Sequence, residues 1–311
     1  MTFDEFQELV EEKILAYLPD VYENAEVQTF YMNSLNGSFH ALQVNGGKAG
    51  YCPAINIEKY YEEYQTGKTV DEVLHEMAGV VAENRRMIDV DVMKDYEKAS
   101  KRLFIRVSSV IRNLAFLKRV PHRIVDDLVL TYHVAIDLLP EEFGSGVITY
   151  DVMQMYGVTE EQLYYDAMRS CPDVLGASVQ SLDEVLFHGP APFDDCGAAK
   201  EIRIVTGSKA KFGAAILFCP DMMRDIAQEM QSSYFVIPSS IHEVMLIPTD
   251  DPSDYERLEN IVHSVNASCV KCKDLLSDHV YYYDAEIDMF SRADRFVELQ
   301  KEAEDLLGQN V

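Results

Sequence analysis

The chain has 311 residues, enough for two compact units, and 48% of them are apolar, so it can bury a core and is not a disordered tail. Its 53 acids against 27 bases give a formal charge of −26, which opposes direct binding to a phosphate backbone and favours solubility and basic partners. No run approaches the roughly 18 apolar residues of a membrane span, and the start Met1-Thr-Phe-Asp-Glu-Phe carries no basic, apolar leader. Together with six scattered cysteines, this sets a cytoplasmic protein with reduced thiols as the expectation.

In chain order, Phe3, Phe6, Leu9, Val10 and Ile14 recur at helical spacing behind an N-cap at Thr2 with Glu5 three residues on, and Pro19 stops that helix. Residues 25–32 and 38–44 alternate as two strands around a turn at 33–37. Asn45-Gly46-Gly47 turns into a further strand over 51–57, followed by helices over 57–64 and, capped by Thr69, over 70–86. Residues 1–95 thus read as a helix, a β-meander and a helical pair.

A central α+β unit is expected over 96–188. Residues 103–110 are β-branched enough for a strand, and 127–136 are apolar enough for a central one. A turn is expected at 143–146, a strand at 147–150, and a helix from Thr159 that Pro172 ends. Gly189-Pro-Ala-Pro-Phe-Asp-Asp-Cys-Gly197 is the linker candidate.

A second α+β unit is expected over 201–290. Residues 201–206 and 212–218 read as a hairpin around the loop 207–211, then a helix over 222–230 and strands over 234–238 and 244–248. A helix over 253–265, a strand over 279–283 and an amphipathic terminal helix over 291–307 complete it. In Tyr281-Tyr-Tyr-Asp284, alternation predicts one core tyrosine with half-exposed neighbours. The fold class is therefore α+β, with small mixed or antiparallel sheets covered by helices. Pro121-His-Arg-Ile-Val-Asp126 echoes Pro238-Ser-Ser-Ile-His-Glu243, which raises a duplicated strand–helix unit.

Several blocks resemble an uncharacterised bacterial family, domain of unknown function 5688. They are the first six residues, the stretch 56–64 with its Tyr60-Tyr-Glu-Glu-Tyr64, Val120-Pro-His-Arg123, and Tyr156-Gly-Val-Thr-Glu-Glu-Gln-Leu-Tyr164. Phe212-Gly-Ala-Ala215, residues 238–243, and Leu276-Ser-Asp-His-Val-Tyr-Tyr-Tyr-Asp284 complete the set. The similarity runs through nearly the whole chain. It implies no activity, cofactor or catalytic residue.

The most pointed polar cluster is residues 238–243. His242 and Glu243 offer an acid–base pair with Ser239 or Ser240 nearby, and His122, Arg123 or Asp284 could assist. Against this, His242 and Glu243 face opposite sides of a strand, and no Gly-x-Ser-x-Gly elbow accompanies the serines. Cys269-Val-Lys-Cys272, with His263 and His279, offers zinc-type ligands but lacks a second close pair. Gly207-Ser-Lys-Ala-Lys-Phe-Gly213 has its lysine before the second glycine and leads into an expected strand, so it is no phosphate loop. With every catalytic motif incomplete and no cofactor signature, the expectation is a non-enzymatic protein-binding module, charge-steered toward a basic partner by mimicry of nucleic acid. A hydrolase-like enzyme with its site at 238–243 is the alternative, and a scaffold assembling through the terminal helix a third.

Overall fold

The computed structural model describes residues 1–45, 54–83, 92–137, 143–187, 201–208 and 210–308. The chain divides into two compact units, Met1–Val90 and Asp91–Val311.

In the N-terminal unit, helix α1 (Phe3–Lys13) begins with the expected reciprocal cap. The Glu5 amide donates to Thr2 Oγ1 at 3.3 Å, and the Thr2 amide donates to the Glu5 carboxylate at 2.8 Å. Strands β1 (Glu26–Ser34) and β2 (Gly37–Asn45) pair antiparallel, and Asn36 takes the positive φ of 62° in the turn between them. A short β3 (Ile55–Asn56) adds to β2, and the Asn56 side chain caps α2 (Ile57–Gln65). Helix α3 (Val70–Glu83) opens with a Thr69–Glu72 capping pair. One core, including Phe6, Val10, Leu42, Ile57, Leu74 and Met77, joins these elements. The turn at Gly46-Gly47, residues 51–53, and the expected continuation of α3 to 86 lie outside the described residues.

The C-terminal unit has two antiparallel sheets. Between α4 (Tyr96–Ser100) and the helices that follow lie β4 (Leu103–Ser109), α5 (Leu114–Leu117), β5 (His122–Val125), β6 (Leu128–Asp137) and β7 (Phe143–Val147). As expected, β6 is central, with β4 on one side and β5 and β7 on the other. Next come α6 (Tyr150–Tyr156), α7 (Glu160–Leu175), β8 (Ala177–Ser181), α8 (Leu182–Phe187) and β9 (Arg203–Gly207). Then follow α9 (Met222–Met230), β10 (Tyr234–Ile237), β11 (Glu243–Pro248), α10 (Tyr255–Ser268), β12 (Tyr281–Asp284), β13 (Met289–Arg292) and α11 (Ala293–Gly308). The second sheet runs β13-β12-β10-β11-β9-β8. The architecture is α+β, with small antiparallel sheets covered by helices. A single core draws on both 96–188 and 201–290, from Phe104 and Leu163 to Ile216 and Tyr283. The linker candidate at 189–197 lies outside the described residues. Among those described, no helix is long and apolar enough to cross a membrane.

Five local expectations are corrected. Residues 143–147 form strand β7 rather than a turn, and Thr149 caps a helix where a strand was expected. Gly146 is there for close packing: a Cβ on it would lie 2.8 Å from the Met93 side chain. Pro172 sits inside α7, which continues to a left-handed Gly176 at φ 63°; a proline near the end removes one amide bond without ending the last turn. Residues 213–218 form a buried 3-10 helix, not the second strand of a hairpin, and β9 instead pairs with β8 and β11. Finally, Tyr281, Tyr282 and Tyr283 are all buried, because β12 packs on both faces. Tyr281 and Tyr283 join the main core, while Tyr282 meets Phe235 and Phe296 under α10 and α11.

The two echoing segments are built differently. Residues 122–125 are strand β5 of a hairpin, whereas 238–242 connect β10 to β11.

Candidate functional site

The connection from β10 to β11 is a polar joint. Ser240 Oγ accepts the His242 amide at 3.0 Å, and the Ser240 amide donates to the Glu243 carbonyl at 3.1 Å. The Ile241 amide reaches the Asp274 carbonyl at 2.9 Å. The His242 carbonyl accepts from the Gly213 amide at 2.9 Å and from Thr206 Oγ1 at 3.3 Å. Its imidazole Nδ1 accepts the Phe212 amide at 3.2 Å, which assigns the ring proton to Nε2, 3.3 Å from Asp274 Oδ1.

His242 therefore ties three chain segments together. Phe212 needs that tie, since its backbone sits at φ 57°, a conformation costly for a side chain of its size. His242→Ala leaves the Phe212 amide without its acceptor. We expect it to lower the unfolding free energy of the C-terminal unit by about 1–3 kcal/mol, read from urea denaturation; an unchanged midpoint would show that His242 does not staple this joint.

The other sequence-selected residues are dispersed. Glu243 is exposed and starts β11. Ser239 donates its amide to the Ile237 carbonyl at 3.0 Å. His122 lies on β5 with Nδ1 2.8 Å from the Val120 carbonyl, and Asp284 caps the turn after β12 by accepting from the Glu286 and Ile287 amides. The structure thus joins His242 to Asp274, a residue the sequence reading passed over, and shows no bond from either to Ser239, His122 or Asp284 among the described residues. Cys269 and Cys272 are exposed free thiols, with Cys272 Sγ 3.4 Å from Arg112 Nη1. His263 is exposed on α10, and His279 pairs with Glu259 at 3.2 Å. Among the described residues, no group of three or more His, Cys, Asp or Glu side chains could hold a metal ion.

Beside this joint lies an apolar groove of about 300 Å³. One wall is α10, through Leu258, Ile261, Val262 and Val265; the other is sheet, through Ile237, Met245 and Ile247, with Pro238 and Ser239 at the end. Helical spacing puts the four α10 residues on one stripe. Its inner edge is covered, with Val262 at 3% exposure, while Ile261 and Val265 remain 51% and 42% exposed. Glu243 alternates onto the same strand face as Met245 and Ile247, so an exposed carboxylate borders the apolar floor. Exposed Asp250, Asp251 and Asp254 precede α10, and Arg257, the sole Lys or Arg of that helix, stands 4.0 Å from Asp254. Apolar spacing in the sequence reveals the α10 stripe. It does not reveal which part the sheet leaves bare, because that depends on where α11 packs.

No curated protein and no solved structure matches the chain significantly. The model of a family of unknown function, DUF5688, matches residues 3–285, from the start of α1 through β12. The chain belongs to the DUF5688 family.

Proposed function

We propose that the protein is a non-enzymatic protein-binding module of the bacterial cytoplasm, and that the groove between α10 and the β10–β11 sheet takes an amphipathic, basic segment of its partner. The carrying observation is the bare half of the α10 stripe, Ile261 and Val265, opening on a floor of Ile237, Met245 and Ile247. Contiguous exposed apolar surface rimmed by polar groups is the signature of an interaction site. The rim carboxylates and the −26 charge select lysine or arginine flanking the apolar anchors, the arrangement by which an acidic protein engages a basic, nucleic-acid-like binding face. Pro238 and Ser239 then serve as the end wall of a binding surface, with Glu243 on its rim, instead of belonging to a hydrolytic centre.

The test uses Ile261→Asp/Val265→Asp as bait beside the unaltered protein, in affinity capture at low and high ionic strength. Both positions are largely exposed, so the unfolding midpoint should hardly move. A basic partner should be retained by the unaltered protein at low salt, and its affinity should fall at least about tenfold in the double variant. Retention unaffected by both salt and variant would overturn the reading.

A further inference from the structure

Strand β4 places one cation in an otherwise apolar and hydroxylic run, Leu103-Phe-Ile-Arg-Val-Ser-Ser109. By alternation Phe104, Arg106 and Ser108 share a face, and the register sets His133, Thr131 and Val129 of β6 opposite them. Ser108, Thr131 and His133 on this face are buried to 3% exposure or less. Thr131 Oγ1 is 3.0 Å from His133 Nε2, and burial, with the nearby Arg106 charge, holds that imidazole neutral.

Arg106 is half-buried. Its guanidinium carbon lies 4.0 Å from the centre of the Phe212 ring, and its Nε is sealed from solvent with no hydrogen-bond acceptor. Ser108 Oγ is equally sealed and also lacks a partner. Among the described residues no carboxylate forms an ion pair with Arg106, in a chain with 53 acids for 27 bases. Burial pulls its pKa down to about 10. An arginine serving only to hold structure gains most from a forked pair with a carboxylate, and the face of a phenylalanine returns only part of its lost hydration.

We infer that Arg106 anchors a binding site for a small oxyanion, a carboxylate or phosphate group of a ligand, which takes the place of the missing counter-ion at the outer, Nη end of the guanidinium. A planar fork of N–H donors matches two oxygens of such a group at once. Ser108 supplies a second unengaged polar group, a hydroxyl, on the same face. With His133 neutral, Arg106 is the one Lys or Arg that β4, β5 and β6 place on this face, where His122 also stands opposite Thr131; one guanidinium suits a monoanion, so acetate should bind more tightly than inorganic phosphate. The site is distinct from the α10 groove and stands or falls independently of it.

The test follows the Nε–Hε resonance of Arg106 in ¹⁵N-labelled protein, identified by its loss in Arg106→Lys. Sodium acetate and, separately, inorganic phosphate are titrated against sodium chloride at equal ionic strength. A saturable shift with either oxyanion and none with chloride is the expected result, and the stronger arm identifies the group. Thermal unfolding supplies the second measurement. Oxyanion should raise the midpoint of the unaltered protein above its value in chloride. Arg106→Lys keeps the charge but loses the fork, and should need at least about tenfold more oxyanion for the same gain. Arg106→Met should show no gain at all. Equal shifts with chloride, the absence of saturation, or an oxyanion gain that survives in Arg106→Met would each overturn the assignment. If Arg106→Met fails to fold, the titration of the unaltered protein still decides.

Discussion

Gly213→Ala should destabilise the C-terminal unit by at least about 3 kcal/mol, the largest loss we expect from adding one methyl group to any of the described glycines. An added Cβ would sit 2.4 Å from Thr206 Cα, 2.5 Å from the Gly207 nitrogen and 2.5 Å from the His242 carbonyl oxygen. All three are backbone atoms, so no rotamer change relieves the overlap. Either the 213–218 turn lifts off β9, exposing Ala214, Ala215 and Ile216, or the β9–β11 ladder parts. Gly79, inside α3, is the control: nothing stands within 4 Å of its added Cβ, and alanine there should stabilise the N-terminal unit by about 0.5–1 kcal/mol. Urea denaturation followed by circular dichroism reads both. A Gly213→Ala midpoint equal to that of the unaltered protein would mean that the turn is not seated on β9 in solution.

The second large effect is alkaline unfolding. Burial raises the hydroxyl pKa of Tyr132, Tyr234, Tyr281 and Tyr283 above the ordinary 10.0. Tyr281 is raised further by Asp127, whose carboxylate accepts its proton at 2.8 Å, and Tyr283 by Asp288 at 2.6 Å. Tyr283 is pushed up to about 12. For a group whose folded pKa lies above its unfolded one, the stabilisation is complete below the unfolded value and is lost as pH climbs toward the folded one. Above pH 10 the unfolded chain releases these protons first, so each ring costs about 1.4 kcal/mol per pH unit, and the four together about 5 kcal/mol per unit.

A protein of ordinary stability cannot withstand that for long. The buried set should ionise together with the loss of circular dichroism. If all 18 tyrosines titrated in one smooth step while the fold persisted, the packing of β10 and β12 would be wrong.

Local signals were legible wherever one residue type has one physical use. Thr2 with Glu5, and Thr69, marked helix starts, and the apolar run ending at Ile136 marked a central strand. Errors came where one residue serves two purposes. Glycines at 144 and 146 look like a turn, yet Gly146 makes room for Met93. The run Gly-Ala-Ala-Ile-Leu-Phe at 213–218 has a strand's composition, but its small residues let it curl tightly against β9 and the His242 carbonyl. Periodicity carries no information about such close approach. At the candidate site, residues 238–243 were picked out by polarity alone. That located the joint and one end of the groove, but not Asp274, Phe212 or the α10 residues that surround them. Arg106 left a visible trace, a lone cation in an apolar strand, but its lack of a counter-ion is a property of the folded state.

The order of strands in the six-stranded sheet bears on how the nascent chain survives its own synthesis. The β1–β2 hairpin and the described helices of the N-terminal unit all lie within the first 83 residues, so that part can close early. Strand β10 gets its neighbour β11 soon afterwards in sequence, but its other neighbour, β12, only at residues 281–284. Until translation passes that point, the Tyr-Phe-Val-Ile edge of β10 is open to any passing strand. Slowing the ribosome between β11 and β12 should therefore raise the cell's demand for chaperones.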